Sequence, residues 1–268
     1  MMCRNCVLLI PVAFAVAAAG SWKTLDTGLD LGIFTAPKKS HTGDSRITVV
    51  RIDPARYHLQ ALCAGELDSV NLTVGEWCRK HNLVAAINAG MYAKDYRTHV
   101  GYLKNFAYVN SGRVRTDYKA VLAFNPVDKS VAPVRIIDLA CHDFRVLREK
   151  YNTLIQNLRM VSCRGSNVWS PQEKRYSLAA LGIDKSGRVL FLFSESPYSV
   201  HDFIDIILSL PLSVKGAMYL EGGGAAALYL QSGEFVLERY GVYESGEHTA
   251  GTLSLPRPLP NVIGVDKR

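Results

Sequence analysis

The sequence holds no apolar run long enough for a membrane helix. Its longest, inside MMCRNCVLLIPVAFAVAAAG at the N-terminus, falls short of the roughly 20 consecutive apolar residues that a span needs, and no cysteine follows it where a lipidated bacterial N-terminus requires one. Past that run, closely spaced cysteines are also missing. Cys63, Cys78, Cys141 and Cys163 stand too far apart for a thiolate zinc site, and no metal or other cofactor is expected. No repeat, low-complexity tract or linker divides the chain. Acid is the scarcer charge, 24 Asp and Glu against 31 Lys and Arg, which leaves a net charge of +7. That balance favours polyanions, phosphorylated glycans or anionic surfaces over cationic partners.

What the N-terminus does contain is Arg4, then the apolar run, then small residues at Ala17, Ala19 and Gly20, the pattern of a cleaved secretory signal. Residues 1–20 are therefore expected to be a signal peptide and residues 21–268 the mature domain, periplasmic or secreted, with no stable membrane span after cleavage. An uncleaved anchor is the alternative. Nucleic acid is a poor partner for an exported chain. Once Cys3 and Cys6 leave with the signal, four cysteines remain in a disulfide-permissive compartment. One or two bridges fit, and the spacing leaves the pairing open.

SRITVVRID and ARYHLQALC alternate apolar and polar residues on either side of Asp53 and Pro54, which predicts two paired strands joined by a turn. In NLTVGEWCRKHN, Thr73 and Glu76 form a capping box for a short helix that Asn82 ends. LVAAIN then reads as a buried strand, with Asn88, Ala89 and Gly90 at its C-terminal end. YSLAALGIDKSGRVLFLFSESP predicts a hairpin turning at Asp184–Gly187, with Glu195 at the exit of its second strand. Ser199 caps a helix over VHDFIDIILSL that Pro211 stops, and a strand through AMYL delivers Glu221. The stretch from Cys141 to Tyr176 is loosely patterned, with a helix expected around residues 143–158. Together these elements predict one α+β domain, a mixed β-sheet core flanked by helices.

MYLEGGGAAALYL sets an acid and three glycines between two apolar runs. A glycine triplet after a strand permits backbone conformations closed to other residues, and its N–H groups can converge on an anion. A tight turn or bulge would use the same glycines structurally. Glu221 adds a constraint, because a carboxylate inside an apolar run must be hydrogen-bonded, paired or exposed in a cleft. A ligand-facing site would keep the floor of that cleft bare at Gly222–Gly224.

INAGMY, followed about 130 residues later by YLEGGGAAALY, resembles the phosphodiester glycosidase family. GIDKSGRVLFLFS also resembles a family hairpin and LPNVIGV a closing strand, so the resemblance spans about residues 45–265. It implies hydrolysis of a sugar 1-phosphodiester on a mixed sheet flanked by helices, with Asn88, Gly90, Glu221, Gly222, Gly223 and Gly224 lining one cleft. The substrate would be a glycan or other glycosyl phosphate. Three departures stand out: Glu221 occupies the family's Asp position, Ala225 and Ala226 stand where a Ser pair is usual, and Ser177, Leu178 and Ala179 provide no arginine.

Independently of that resemblance, breaking a glycosyl phosphate bond develops positive charge at the anomeric carbon and leaves negative charge on the departing phosphate. Glu221 and Glu195, both at strand exits, are candidates to stabilise the first. Arg159, Arg164, Lys104 and Arg97 are candidates to grip the second, since a guanidinium can hold two oxygens. His201 and His99 could donate a proton to the leaving group, and Tyr92, Tyr102, Trp169 or Tyr198 could stack on a sugar face. The expected catalytic set is Glu221, Asn88, His201 and Glu195. The expected substrate-binding set is Gly90, Tyr92, His99, Arg159, Arg164, Gly222, Gly223 and Gly224. Two other functions share these features: a noncatalytic glycan or cell-envelope binding protein, and a structural envelope protein in which the glycines are only a bulge.

Overall fold

The computed structural model describes residues 20–242 and 256–268. The chain is mostly β, 48% strand against 12% helix, in three sheets. The helices expected to flank a mixed sheet are few and short, and the strand pairings are antiparallel. Residues 143–158 account for part of that difference. Only Phe144–Leu147 is α-helical, followed by a 3₁₀ turn, after which Tyr151–Asn157 enters a sheet between Leu103–Asn105 and Ala120–Pro126. Central position and cover on both faces suit β-branched Thr153 and Ile155 to a strand, although the apolar spacing also matches a helix.

The seven-stranded sheet runs in the order Gly20–Asp26, Leu29–Thr35, Arg46–Ile52, Val189–Tyr198, Tyr176–Asp184, Val214–Gly222, Arg159–Val161. One five-stranded sheet is Tyr108–Ser111, Leu103–Asn105, Tyr151–Asn157, Ala120–Pro126, Val134–Asp138; the other is Phe235–Tyr240, Ala227–Ser232, Ala85–Asn88, Asn261–Lys267, Tyr57–Cys63. All three contribute to one core, as Val50, Phe191 and Leu220 meet Ile87 and Val265 on one side and Leu103, Leu122 and Ile155 on the other. The hairpin expected at Asp184–Gly187 forms, pairing Tyr176–Asp184 with Val189–Tyr198. The pair expected across Asp53 and Pro54 does not. The N–H groups of Arg56 and Tyr57 both donate to the Asp53 carbonyl at 3.0 Å, and this turn sends Arg46–Ile52 and Tyr57–Cys63 into different sheets.

Helix Val74–His81 has both halves of its capping box, the Glu76 N–H donating to Thr73 Oγ1 and the Thr73 N–H to the Glu76 carboxylate, and ends at left-handed Asn82. Its Trp77 and Cys78 pack on the outer face of the second five-stranded sheet. Helix Val200–Ser209, capped by Ser199, lays Phe203, Ile204 and Ile207 on the outer face of the seven-stranded sheet against Leu178, Leu190 and Ala217.

Cys141 and Cys163 form a disulfide, whereas Cys63 and Cys78 are buried thiols whose ionisation burial opposes. Among the described residues no helix is long and apolar enough to cross a membrane. The expected signal peptide lies outside the described residues except for Gly20, which opens the first strand.

Candidate active site

Strand Val214–Gly222 ends in an irregularity that fixes where Glu221 points. Ala179 faces Glu221 while Ala180 faces Tyr219, so Leu220 is an extra residue on its strand, a bulge of the kind that re-aims a side chain. Ala179 and Leu220 both belong to the shared core, and Glu221 lies on that face of the sheet. Its carboxyl accepts one hydrogen bond among the described residues, from the Gly222 N–H at 3.0 Å. Burial pushes it up to about 7, against an ordinary 4.5. The neighbouring Tyr118 phenol is raised chiefly by its own burial, with the charge of Glu221 adding to the effect.

From Gly222 the chain makes one 3₁₀ turn, Gly223–Ala225, and enters Ala227–Ser232, which pairs with Ala85–Asn88. This crossing between sheets brings the two sequence motifs together. Asn88, 1% exposed, accepts the Ala227 N–H on its Oδ1 at 3.3 Å, and its Nδ2 has no hydrogen-bond partner among the described residues. Next along the strand, the Ala89 carbonyl accepts from Asn157 Nδ2 at 2.9 Å and the Ala89 N–H donates to the Asn261 carbonyl at 3.0 Å. Asn157 Oδ1 and Asn261 Oδ1 are both buried without a partner among the described residues.

Gly90 has φ +142°, a conformation side chains disfavour, and a Cβ there would lie 2.3 Å from Asn157 Oδ1 and 2.6 Å from His99 Cε1. His99 is buried. Its Nε2 bonds the Gln156 carbonyl at 2.8 Å, which places the ring proton on Nε2 and leaves Nδ1 as an unpartnered acceptor. Burial lowers its pKa to about 4, so the ring is neutral at pH 7. One donor and three acceptors around Asn88–Gly90 thus lack partners among the described residues, and leaving such groups buried costs about 1–3 kcal/mol each.

Gly222 and Gly224 are crowded rather than bare. A Cβ on Gly222 would fall 2.3 Å from the Tyr176 ring, and one on Gly224 2.9 Å from Arg257 Nε. Gly223 takes a left-handed φ of +63°. The glycines let a tyrosine and a guanidinium press against the turn, so positive charge reaches it from a segment that sequence reasoning did not consider. Asn157, Asn261, Gln156 and Tyr118 were likewise missed. Each asparagine is an amide inside an apolar run, the signal that had singled out Glu221.

Other expected residues lie elsewhere. Tyr92 bridges to His99 and its ring meets Tyr96 at 5.7 Å, which leaves it beside the cluster. His201 sits on the outer helix, its Nδ1 3.5 Å from Asp205 and 3.8 Å from Asp202. The seven-stranded sheet separates that helix from the face Glu221 occupies. Glu195 is exposed, lining a small polar hollow with Asp44, Arg46 and Arg239. Arg159 donates to both oxygens of buried Asp138, at 2.7 and 2.8 Å, which neutralises it as a phosphate ligand. Arg164 is exposed in the turn after Ser162. Arg97 donates to the Ser69 carbonyl at 3.2 Å. The metal-like trio Asp138, Cys141 and Cys163 is already committed to the disulfide and to Arg159.

Comparison with known proteins bears on the fold and the family. A protein of Synechocystis described as hypothetical superposes with a TM-score of 0.64 at 15% identity, over 95% of this chain and 65% of that one. This chain therefore spans about two thirds of that relative's length. The catalytic domain of zebrafish N-acetylglucosamine-1-phosphodiester alpha-N-acetylglucosaminidase, auto-inhibited by its pro-peptide, superposes with a TM-score of 0.59 at 13% identity, over 94% of this chain and 89% of that one. At such identities the likeness is one of fold. No curated protein matches the sequence. The phosphodiester glycosidase profile matches residues 81–266, which include both the Asn88 and the Glu221 segments, and the chain belongs to the phosphodiester glycosidase family.

Proposed function

We propose that this protein is an exported hydrolase that cleaves a sugar 1-phosphodiester bond in a glycan or envelope polymer. The observation that carries the reading is Glu221, a carboxyl held at about 7 by burial, one 3₁₀ turn before the strand whose Ala227 N–H bonds Asn88. A base of that pKa is matched to proton transfer near neutrality. In this reading water attacks the anomeric carbon and gives its proton to the Glu221 carboxylate. The bond from the anomeric carbon to the phosphate oxygen breaks, and the phosphate leaves with its aglycone and the bonding electrons. Asn88 Nδ2, Asn157 Oδ1, Asn261 Oδ1 and neutral His99 Nδ1 orient the sugar through its hydroxyls. Arg257, beside Gly224, contributes positive charge where the phosphate departs.

Export is supported by the leader-like N-terminus and by the Cys141–Cys163 bridge, since disulfides persist mainly in oxidising compartments. The alternative, a glycan-binding protein without turnover, draws on buried Ala225 and Ala226 in place of hydroxyls. Release of free sugar from a panel of sugar 1-phosphodiesters separates the two. Turnover that falls about a hundredfold or more in Glu221→Gln and Asn88→Ala, equivalent to roughly 3 kcal/mol at the transition state, supports the hydrolase. Saturable binding with no product, unchanged by Glu221→Gln, supports the binder.

A further inference from the structure

A hollow lies at the start of the strand that carries Glu221 near its end. It has a volume of about 320 Å³ and opens between strand Val134–Asp138, the Cys141–Cys163 bridge and the start of strand Val214–Gly222. Gly216, on its wall, is five residues from Glu221, about 17 Å at the usual strand rise. The floor is apolar, made by Val134, Ile136, Val161 and Ile183.

The charged groups of this hollow are unevenly satisfied. Asp138 is consumed by Arg159 and by the N–H groups of Ala140 and Cys163, and Asp184 Oδ1 by Ser186 and the Arg188 N–H. Arg135 and Lys215 form no ion pair among the described residues, and Arg135 hydrogen-bonds the Tyr151 hydroxyl. His142 accepts the Asp138 N–H on Nδ1 at 3.1 Å, which puts its ring proton on Nε2 as a further donor. Two cations and a ring N–H therefore border an apolar floor while the acids are largely occupied internally.

Gly216 puts no side chain on this wall, and a Cβ added there would meet nothing within 4 Å. The ladder shifts register beside it, Ile183 facing Gly216 and Asp184 facing Val214, and a strand glycine at such a bulge leaves the main chain open to the hollow.

We propose that this hollow binds a small carboxylate with an apolar body, its head on Arg135 and Lys215 and its body over Val134, Ile136 and Ile183. The planar fork of Arg135 suits a carboxylate, and the volume lies at the lower end of small-ligand sites, about 300–1,000 Å³. The site is separate from the Glu221 centre and does not depend on what that centre cleaves.

The test is isothermal titration calorimetry of the mature protein with octanoate, octanol, octylamine and inorganic phosphate. Octanoate should bind at one site, and octanol and octylamine at least tenfold more weakly, as expected when a charge-assisted hydrogen bond is lost. Gly216→Phe, which fills the hollow and leaves every charge in place, should abolish octanoate binding. The double change Arg135→Glu and Lys215→Glu should weaken it at least tenfold, and Glu221→Gln should leave it intact. Equal binding of octanol, phosphate binding as tightly as octanoate, octanoate binding that survives Gly216→Phe, or no binding at millimolar octanoate would each overturn the proposal.

Discussion

Replacing Glu221 with Gln should stabilise the protein at pH 8 and have no effect on charge-dependent stability at pH 4.5 or below. Burial holds this carboxyl at about 7 in the folded chain, against an ordinary 4.5. Between those values the unfolded chain ionises Glu221 while the folded chain keeps it protonated. The resulting cost to folding is absent at low pH, grows as pH rises from about 4.5 to about 7 and then stays constant. At about 1.36 kcal/mol per pKa unit, the limit is about 3.4 kcal/mol. The side chain is only partly covered, so solvent screens some of this and about 2 kcal/mol is the expected figure. Gln carries no charge and keeps an oxygen for the Gly222 N–H, so it escapes the cost. Thermal unfolding of both proteins at pH 4.5, 6 and 8 reads the effect directly. With 2–4 °C per kcal/mol for a chain of this size, Glu221→Gln should melt roughly 4–8 °C above wild type at pH 8. That gap should vanish at pH 4.5. A pH-independent offset, or matched melting at every pH, would refute the claim that Glu221 is desolvated.

Gly90→Ala should destabilise the fold by about 1–3 kcal/mol in denaturant unfolding, because it combines a disfavoured φ of +142° with a clash on Asn157 and His99. Reducing the Cys141–Cys163 bridge, or Cys163→Ser, should cost about 3 kcal/mol for a loop of 22 residues, seen as a lower melting temperature in reductant. The His99 ring, with a pKa of about 4, should show no titration by NMR between pH 8 and 5.5. Because that pKa is depressed in the fold, the corresponding stability is present above about 6.5 and is lost as pH falls towards 4.

Much of the site was legible wherever a polar residue or glycine interrupted an apolar run. Glu221 was found on that signal and Asn88 and Gly90 through the family resemblance, and the Gly223–Ala225 crossing links their segments. Asn157 carries the same signal but sits in a strand whose apolar spacing also fits a helix, which hid it. Asn261 was passed over because LPNVIGV was read only as a closing strand. His201 and Glu195 show the opposite failure. The helix start at His201 was read correctly, whereas Glu195, expected at a strand exit, lies inside Val189–Tyr198, and sequence periodicity does not say on which side of a sheet an element packs. The same gap explains Arg46–Ile52 and Tyr57–Cys63. Alternation identifies each as a strand, whereas the sheet it joins depends on the direction in which the Asp53 turn releases the chain.

The departures at Ser177–Ala179 and Ala225–Ala226 bear differently on the proposed reaction once the packing is known. Ala226 is fully buried, and Gly241 presses against it so closely that a Cβ on Gly241 would lie 3.1 Å from the Ala226 Cβ. A hydroxyl at that position would need a buried partner of its own, so the alanine fits the local packing. No arginine stands ahead of Gly182, and the guanidinium that packs directly on Gly224 is that of Arg257. The electrostatic requirement for a departing phosphate is a cation at the right place, whichever segment supplies it. Gly224 is then needed for a reason the sequence motif alone does not reveal: any side chain there would push the Arg257 guanidinium off the turn.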